Sequence, residues 1–177
     1  NMDVYIADGM LKSFGLALVL ISLCLFFLLG NLADAVIAVA VSVFPIVLVL
    51  ATMALGGIKL DYGTMLVAAV TFGIAVDDTI HFMTRFREGK ELYQNLPRAI
   101  QYALAHVGLP ICVTSMILSL GFGALLFSSF IPNILFGLFS VIIILGALVG
   151  DLLVLPAVLF RRKAPSPALQ RAISETL

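Results

Sequence analysis

The chain has 177 residues, of which 62% are hydrophobic and only 11% are charged, and its mean hydropathy is +1.19. Soluble globular domains are about 45–50% apolar and about 25% charged, so this composition excludes a chain that covers its surface with polar groups in water. Ten basic and ten acidic residues give a net charge of zero, and therefore no electrostatic reason to expect nucleic acid or an acidic partner. The composition predicts an all-α, polytopic membrane bundle.

The N-terminal residues 1–10 contain two acids and lack the basic region of a signal peptide. Because the chain starts at Asn1 rather than Met, we expect it to be a piece of a longer protein. Cys24 and Cys112 lie inside apolar runs without a CxxC spacing, and we interpret both as small buried residues rather than metal ligands.

Five apolar segments are long enough to cross a membrane as helices, which requires about 20 residues each. They cover residues 11–30, 35–55, 65–83, 109–127 and 134–160, and together they form a predicted transmembrane bundle over residues 11–160. An odd number of spans places the two termini on opposite sides of the membrane. Residues 161–177 contain two prolines and a short polar run, and they are predicted to be a mobile tail.

The basic residues indicate which side faces the cytoplasm, because cytoplasmic loops retain positive charges. Eight of the 10 Lys and Arg residues fall on one side of the predicted spans: Arg85, Arg87, Lys90, Arg98, Arg161, Arg162, Lys163 and Arg171. Lys12 and Lys59 fall on the other side. We therefore expect a multi-pass protein of the cell (inner) membrane with an extracytoplasmic N-terminus and a cytoplasmic C-terminus.

Between the third and fourth spans, apolar residues recur every three or four positions: Leu92, Leu96, Ala99, Ile100, Ala103, Leu104 and Val107. Asn95 as N-cap and Pro97 in the first turn favour a helix start. Gly108 and Pro110 favour a helix end. The pattern predicts an interfacial amphipathic helix over residues 91–108 that lies on the cytoplasmic surface. The alternative is a solvated connector with a chance apolar stripe.

Three acids lie within the predicted spans, Asp77 and Asp78 in the third and Asp151 in the fifth. An ionisable group at membrane depth costs about 2.5–3.5 kcal/mol, so each requires a partner, a water-filled cavity or a proton. At about 1.5 Å per residue, Asp77 and Asp151 lie about 5–6 Å to the cytoplasmic side of the middle of their spans. We therefore expect these acids to meet in one layer.

Hydroxyl groups share this layer, since the same arithmetic places Thr114 and Ser115 about 6–8 Å to the cytoplasmic side of the centre of the fourth span. Carboxyls and hydroxyls in a low-dielectric bundle have the composition of a proton relay, because hydroxyls both donate and accept hydrogen bonds. His81 lies one turn beyond Asp77, where it either extends the relay or clamps a carboxylate. The alternative is that these side chains only join helices by hydrogen bonds.

Glycines accompany the acids along the spans: Gly73, Gly121, Gly123, Gly146 and Gly150. Gly146 and Gly150 form a GxxxG pair just before Asp151. Small residues at such positions let helix backbones approach closely, and packing is the role that we favour for them.

One stretch of the third span resembles the fourth helix of a half-transporter in the resistance–nodulation–division (RND) superfamily: Gly73-Ile74-Ala75-Val76-Asp77-Asp78-Thr79-Ile80-His81-Phe82, followed by Arg85-Phe86-Arg87-Glu88. It is most similar to the branch of lipid and hydrophobe exporters that contains the mycobacterial-membrane-protein-large (MMPL), hopanoid-exporter and sterol-sensing Patched-like proteins. Two further stretches resemble the next helix and the last helix of that family: Gly108-Leu109-Pro110 with Thr114-Ser115 and Gly121-Phe122, and Gly150-Asp151-Leu152-Leu153-Val154-Leu155-Pro156. The resemblance covers residues 11–162.

The resemblance implies the last five helices of one half of such a transporter, with the C-terminal half favoured over the N-terminal half. It implies that residues 1–10 end an extracytoplasmic domain, that Asp77 and Asp78 carry the proton coupling, and that the cargo is a lipid or another hydrophobic molecule. The implied partners are the lipid bilayer, the other half-bundle, the extracytoplasmic porter domains and, as a further option, a second copy of the chain. No cofactor, metal or enzymatic activity is expected.

The family's drug pumps pair such acids with an intramembrane lysine, which these spans lack. Either His81 or a second bundle supplies the counter-charge, or the acids have no counter-charge. Two other functions fit the same helices. One is a non-pumping sterol-sensing or scaffold bundle. The other is an intramembrane aspartyl protease whose two aspartates share one proton, although Leu148 stands where the GxGD pattern requires its first glycine. We expect neutralisation of Asp77 or Asp78 to abolish export, and Asp151 and Thr114 to lie within proton-exchange distance of that pair.

Overall fold

A computed structural model of the chain describes the backbone of residues 2–55 and 62–163, and the side chains of residues 9, 12–13, 15–55 and 66–161. These residues are helical and contain no strand: the elements are α1 (Met2–Leu29), α2 (Leu32–Leu55), α3 (Tyr62–Tyr93), α4 (Leu96–Gly123), α5 (Ile131–Val149) and α6 (Leu155–Lys163). A 3₁₀ turn, Ala124–Phe127, extends α4, and a π-helical turn, Gly150–Val154, joins α5 to α6. The predicted all-α membrane bundle is confirmed.

Four helical runs in the described part of the chain are long and apolar enough to cross a membrane: Leu32–Leu55, Leu66–Tyr93, Leu96–Phe127 and Ile131–Arg161. A shorter apolar stretch, Gly15–Leu29, belongs to α1. Large apolar side chains such as Leu109 and Leu120 also remain exposed on the outer surface. Contact between such a surface and water is unfavourable by about 25 cal/mol per Å², so the bundle is embedded in a membrane.

The helix α3 lies at the centre of the bundle, in contact with α1, α2, α4 and α5. Its aromatic residues Phe72, Phe82 and Phe86 are almost completely buried between these neighbours. In lipid, such packing stabilises the bundle through van der Waals contacts, because acyl chains are as apolar as the side chains. The two acids of the third span therefore lie on the most enclosed of the membrane-spanning helices in the described part of the chain.

A tight turn at Gly30 joins α1 to α2 and lies beside α3. Gly30 has a φ of 59°, in the left-handed region that favours glycine, and its N–H donates to the Phe26 carbonyl at 2.9 Å. The Arg87 guanidinium of α3 donates to the Leu28 carbonyl at 2.7 Å, so it satisfies a free carbonyl at the end of α1. We name the end of the bundle that contains this turn the basic end. Besides Arg87, α3 and α4 place three more basic residues there: Arg85, Lys90 and Arg98.

The predicted separate interfacial helix over residues 91–108 is wrong. Residues 91–93 belong to α3, residues 94–95 form a turn, and α4 then runs from Leu96 to Gly123 without a break. The helix passes through Pro110, although Gly108 and Pro110 together predict a helix end there. A proline removes one backbone donor and crowds the carbonyl four residues earlier, and the helices of membrane bundles tolerate both effects.

The apolar stripe of this segment packs against α3 instead of lying on a membrane surface. Its buried members are Ala99, Ile100, Ala103 and Val107. Gly89 of α3 permits the close approach, since a Cβ added there would lie 3.0 Å from the Ala99 Cα. Asn95 does occupy the predicted N-cap position, although its side chain makes no capping bond. As a result, α3 and α4 form one long antiparallel hairpin.

The GxxxG pair packs as predicted, while other glycines do not. A Cβ added at Gly146 or at Gly150 would lie 3.1 Å from the Pro45 Cβ or from the Val41 Cγ1, respectively, so both glycines allow α5 to approach α2 closely. A Cβ added at the following glycines would have no described atom within 4 Å: Gly73 and Gly121.

Two further predictions have mixed outcomes. Cys24 is exposed rather than buried, and Cys112 is half-buried, because the helices that carry them turn these positions toward lipid. Residues 164–177 of the predicted tail, Lys59 and the side chains of residues 1–8 lie outside the described residues.

Candidate functional site

Asp151 lies inside the bundle, in the π-helical turn of the last span, and only 1% of its surface is exposed. The turn forms just before Pro156, which cannot donate the hydrogen bond of a regular helix and whose ring crowds the carbonyl four residues earlier. The Leu155 N–H instead donates to the Gly150 carbonyl, five residues back. Such π-helical turns occur frequently at functional sites, and here the turn carries a buried carboxyl.

A chain of hydroxyls connects Asp151 to α3 and α2. The Thr79 hydroxyl donates to the Asp151 Oδ1 at 2.5 Å, and the Ser42 hydroxyl lies 2.8 Å from the Thr79 Oγ1. All three side chains are buried. Three helices are therefore joined by side-chain hydrogen bonds at one depth of the bundle.

Asp78 is the second buried carboxyl of the site, and it faces α4. The Ser115 hydroxyl donates to its Oδ2 at 3.4 Å, and Ser115 is fully buried. Asp78 directly precedes Thr79, the donor to Asp151, so both carboxyls are reached from the same turn of α3. We name the five side chains the buried polar cluster: Ser42, Asp78, Thr79, Ser115 and Asp151.

The hydroxyls of the cluster can adapt to either protonation state of Asp151. Thr79 lies within hydrogen-bond distance of both Asp151 and the Ala75 carbonyl, and Ser42 within reach of both Thr79 and the Ala38 carbonyl. When Asp151 is ionised, Thr79 donates to it. When Asp151 is protonated, it donates to Thr79, whose own proton turns to Ala75. The cluster can thus gain or lose a proton by rotating hydroxyls.

Asp77 lies outside the cluster, contrary to the expectation that it meets Asp151. Its side chain is 70% exposed, that of His81 is 64% exposed, and the Asp77 Oδ1 lies 3.8 Å from the His81 Nε2. Successive residues of a helix point about 100° apart, so Asp78 faces inward and Asp77 outward. Of the two interpretations given for His81, the geometry matches the clamp on a carboxylate.

Thr114 also lies outside the cluster, which corrects its predicted proximity to the acids. It is exposed, and its hydroxyl donates within its own helix to the Pro110 and Ile111 carbonyls, at 3.1 Å each. Threonine commonly satisfies its hydroxyl in this way in a helix. Its neighbour Ser115 takes the inward position instead.

Two members of the cluster, Ser42 and Thr79, are not among the residues predicted from the sequence. Ser42 is the only hydroxyl in the first half of α2, and it falls at the same distance from the basic end as the acids. Thr79 directly follows the acid pair. A search for polar side chains at equal depth in every span would have found both residues.

In the described part of the chain, no group of three or more His, Cys, Asp or Glu side chains is arranged to hold a metal ion. In comparisons with known proteins, no family model and no curated protein matches the chain.

Proposed function

We propose that the chain is the membrane part of a proton-driven exporter of the RND type, which moves lipids or other hydrophobic molecules. The observation that carries the proposal is the pair of buried carboxyls, Asp78 and Asp151, on different helices of an apolar bundle, each hydrogen-bonded to a hydroxyl. The resemblance of the third span to the fourth helix of that superfamily supports the type of transporter. The same carboxyls do not require an enzymatic activity.

Two buried acids give such a bundle a way to convert proton binding into movement. An ionised carboxyl at this depth costs about 2.5–3.5 kcal/mol, so protonation removes a penalty that the helix arrangement otherwise has to offset. Protonated and ionised acids therefore favour different packings of α3 against α4 and α5. A ligand or proton shifts such an equilibrium only by its different affinity for the two states, and the buried cluster supplies that difference.

The proposed orientation follows from the basic end. Cytoplasmic segments retain Lys and Arg, and the turn between α3 and α4 is flanked by Arg85, Arg87, Lys90 and Arg98. We therefore propose that the basic end faces the cytoplasm, that the N-terminus is extracytoplasmic and that the protein resides in the cell (inner) membrane.

Proton movement tests the proposal directly. The full-length protein is reconstituted in liposomes made from the lipids of its own membrane, which supply candidate cargo, and a pH gradient is applied. We expect uptake of protons, measured with a trapped pH-sensitive dye, well above that of empty liposomes. A correctly folded protein that moves no protons would instead support the sensing or scaffold function.

We further propose that a second helix bundle covers the face of α3 that carries Asp77 and His81. Both side chains are mostly exposed although they lie in a membrane-spanning helix, and a carboxylate in contact with lipid is costly. Gly73, one turn from Asp77, has no side chain and leaves a flat surface on that helix. The surface is open, because a Cβ added there would meet no described atom within 4 Å. The partner bundle is the other half of the transporter or a second copy of the chain.

Spin labels distinguish a covered face from a lipid-facing one. We expect a label at Gly73→Cys in the full-length protein to be protected from molecular oxygen, which dissolves in the acyl region. A label at Leu120→Cys, a position that is 77% exposed on α4, is the lipid-facing control. Equal oxygen accessibility at the two positions would contradict a covering bundle at α3.

A further inference from the structure

Two serine hydroxyls inside the bundle have no hydrogen-bond partner among the described residues, Ser119 of α4 and Ser140 of α5. Ser140 is 0% exposed. A buried hydroxyl without a partner costs about 1–3 kcal/mol, and ordered water satisfies most such groups in folded proteins. Other hydroxyls of the spans, such as those of Thr71 and Ser22, donate to carbonyls of their own helices. Ser119 and Ser140 therefore differ from their neighbours.

The packing of α4 against α5 places these two serines at the same depth of the bundle. The two helices approach each other closely at Gly137, where an added Cβ would lie 2.6 Å from the Phe122 carbonyl oxygen. The helices are antiparallel, so Ser119, three residues before Phe122, and Ser140, three residues after Gly137, both lie about one turn closer to the basic end. This count places them at one level of the α4–α5 contact.

This level adjoins the buried polar cluster. Ser119 is four residues from Ser115, which places the two side chains on one face of α4 and about 6 Å apart along its axis. That separation is too long for a direct hydrogen bond and suits one bridging water. Ser115 in turn donates to Asp78.

We propose that Ser119 and Ser140 bind an ordered water that links the buried polar cluster to the end of the bundle opposite the basic end. This water continues the sequence of hydrogen bonds from Asp78 through Ser115 and away from the basic end. It marks the path by which protons reach Asp78 from that side. The role of the path rests on the proposed proton-driven function, while the binding of water does not.

The water itself is tested by radiolytic labelling, in which X-rays convert bound water into hydroxyl radicals that modify the nearest side chains. In the full-length protein we expect modification of Phe122, one turn from Ser119, to fall several-fold in the Ser119→Ala/Ser140→Ala variant. Thr71→Val is the matched control, because it removes a buried hydroxyl that is already bonded to the Val67 carbonyl. Unchanged labelling of Phe122 would overturn the water site.

Proton uptake by liposomes tests the path. We expect the double alanine variant to lower the rate by about tenfold, which corresponds to the loss of one bridging hydrogen bond of about 1.4 kcal/mol. Its thermal stability should be nearly unchanged, because the higher helix propensity of alanine offsets the loss of the hydrogen bonds to the water. Restoration of the hydroxyl at the less crowded position, in Ser119→Thr/Ser140→Ala, should recover part of the rate.

The outcomes separate the two proposals. If Asp78→Asn abolishes uptake while the double alanine variant retains the full rate, the path is wrong and the proton-driven function stands. If Asp78→Asn itself leaves uptake intact, the proposed function fails, and the labelling of Phe122 still decides whether the water is bound.

Discussion

Replacement of Asp78 or Asp151 with asparagine is expected to abolish proton uptake and to leave the bundle folded. Asparagine has nearly the same shape, and its amide oxygen still accepts the hydrogen bond from Ser115 or from Thr79. It cannot take up a proton at physiological pH. Groups that transfer protons contribute about 10²–10⁴-fold to a rate, so we expect uptake in reconstituted liposomes to fall by at least about 100-fold.

Stability should move in the opposite direction from activity in these two variants. A neutral amide removes the cost of a carboxylate at membrane depth, so each variant should unfold at the same or a higher temperature than the unmodified protein. A loss of uptake that accompanies a loss of folded protein would be a structural effect and would not support a role in proton transfer.

Thr114→Val is the matched control for the two acids. Thr114 lies one position from Ser115, but its hydroxyl bonds to its own helix and its side chain is exposed, so uptake should be unchanged.

Thr79→Val should have an intermediate effect, because it removes the donor to Asp151 without removing a carboxyl. Full activity in Asp151→Asn together with loss in Asp78→Asn would remove Asp151 from the relay.

The depth of each polar group could be predicted from the sequence, and its direction could not. Counting residues from the span ends predicts Asp77, Thr114, Ser115 and Asp151 in one layer, and Asp78 directly follows Asp77. The choice between Asp77 and Asp78, or between Thr114 and Ser115, depends on which side of a helix faces its neighbours. In a span that is apolar on all sides, no polar face reveals that direction, since lipid and core select the same residue types.

Helix boundaries were the second source of error, and they have a related cause. Gly108 and Pro110 are typical of a helix end in water, where a lost backbone bond and glycine flexibility both favour a break. In the bundle, α4 lies at the periphery and continues through both residues because one stripe, which includes Ala103 and Val107, is buried against its neighbours. The π-helical turn at Asp151 follows from Pro156, whose effect on the preceding carbonyl is visible in the sequence once a continuous helix is assumed.

The second large expected effect is a loss of stability when a side chain is added at a glycine where two helices are in close contact. A Cβ added at Gly137 would lie 2.6 Å from the Phe122 carbonyl oxygen and 2.9 Å from the Leu125 Cβ. Backbone atoms cannot rotate away as a flexible side chain can, so Gly137→Ala must push α5 away from α4. Overpacking of this kind costs about 1–3 kcal/mol, and we expect Gly137→Val to exceed Gly137→Ala. Thermal unfolding of the full-length protein in detergent measures both.

Gly121→Ala is the control for Gly137, because an added Cβ there meets no described atom within 4 Å and alanine is the better helix former. We expect Gly121→Ala to raise stability by up to about 1 kcal/mol. If Gly137→Ala is as stable as Gly121→Ala, the two helices are not in close contact at this point.

Since Ser119 and Ser140 lie about one turn from Gly137, separation of α4 from α5 should also lower proton uptake. Gly137→Ala would then lose stability and uptake together, whereas Ser119→Ala/Ser140→Ala would lose uptake alone.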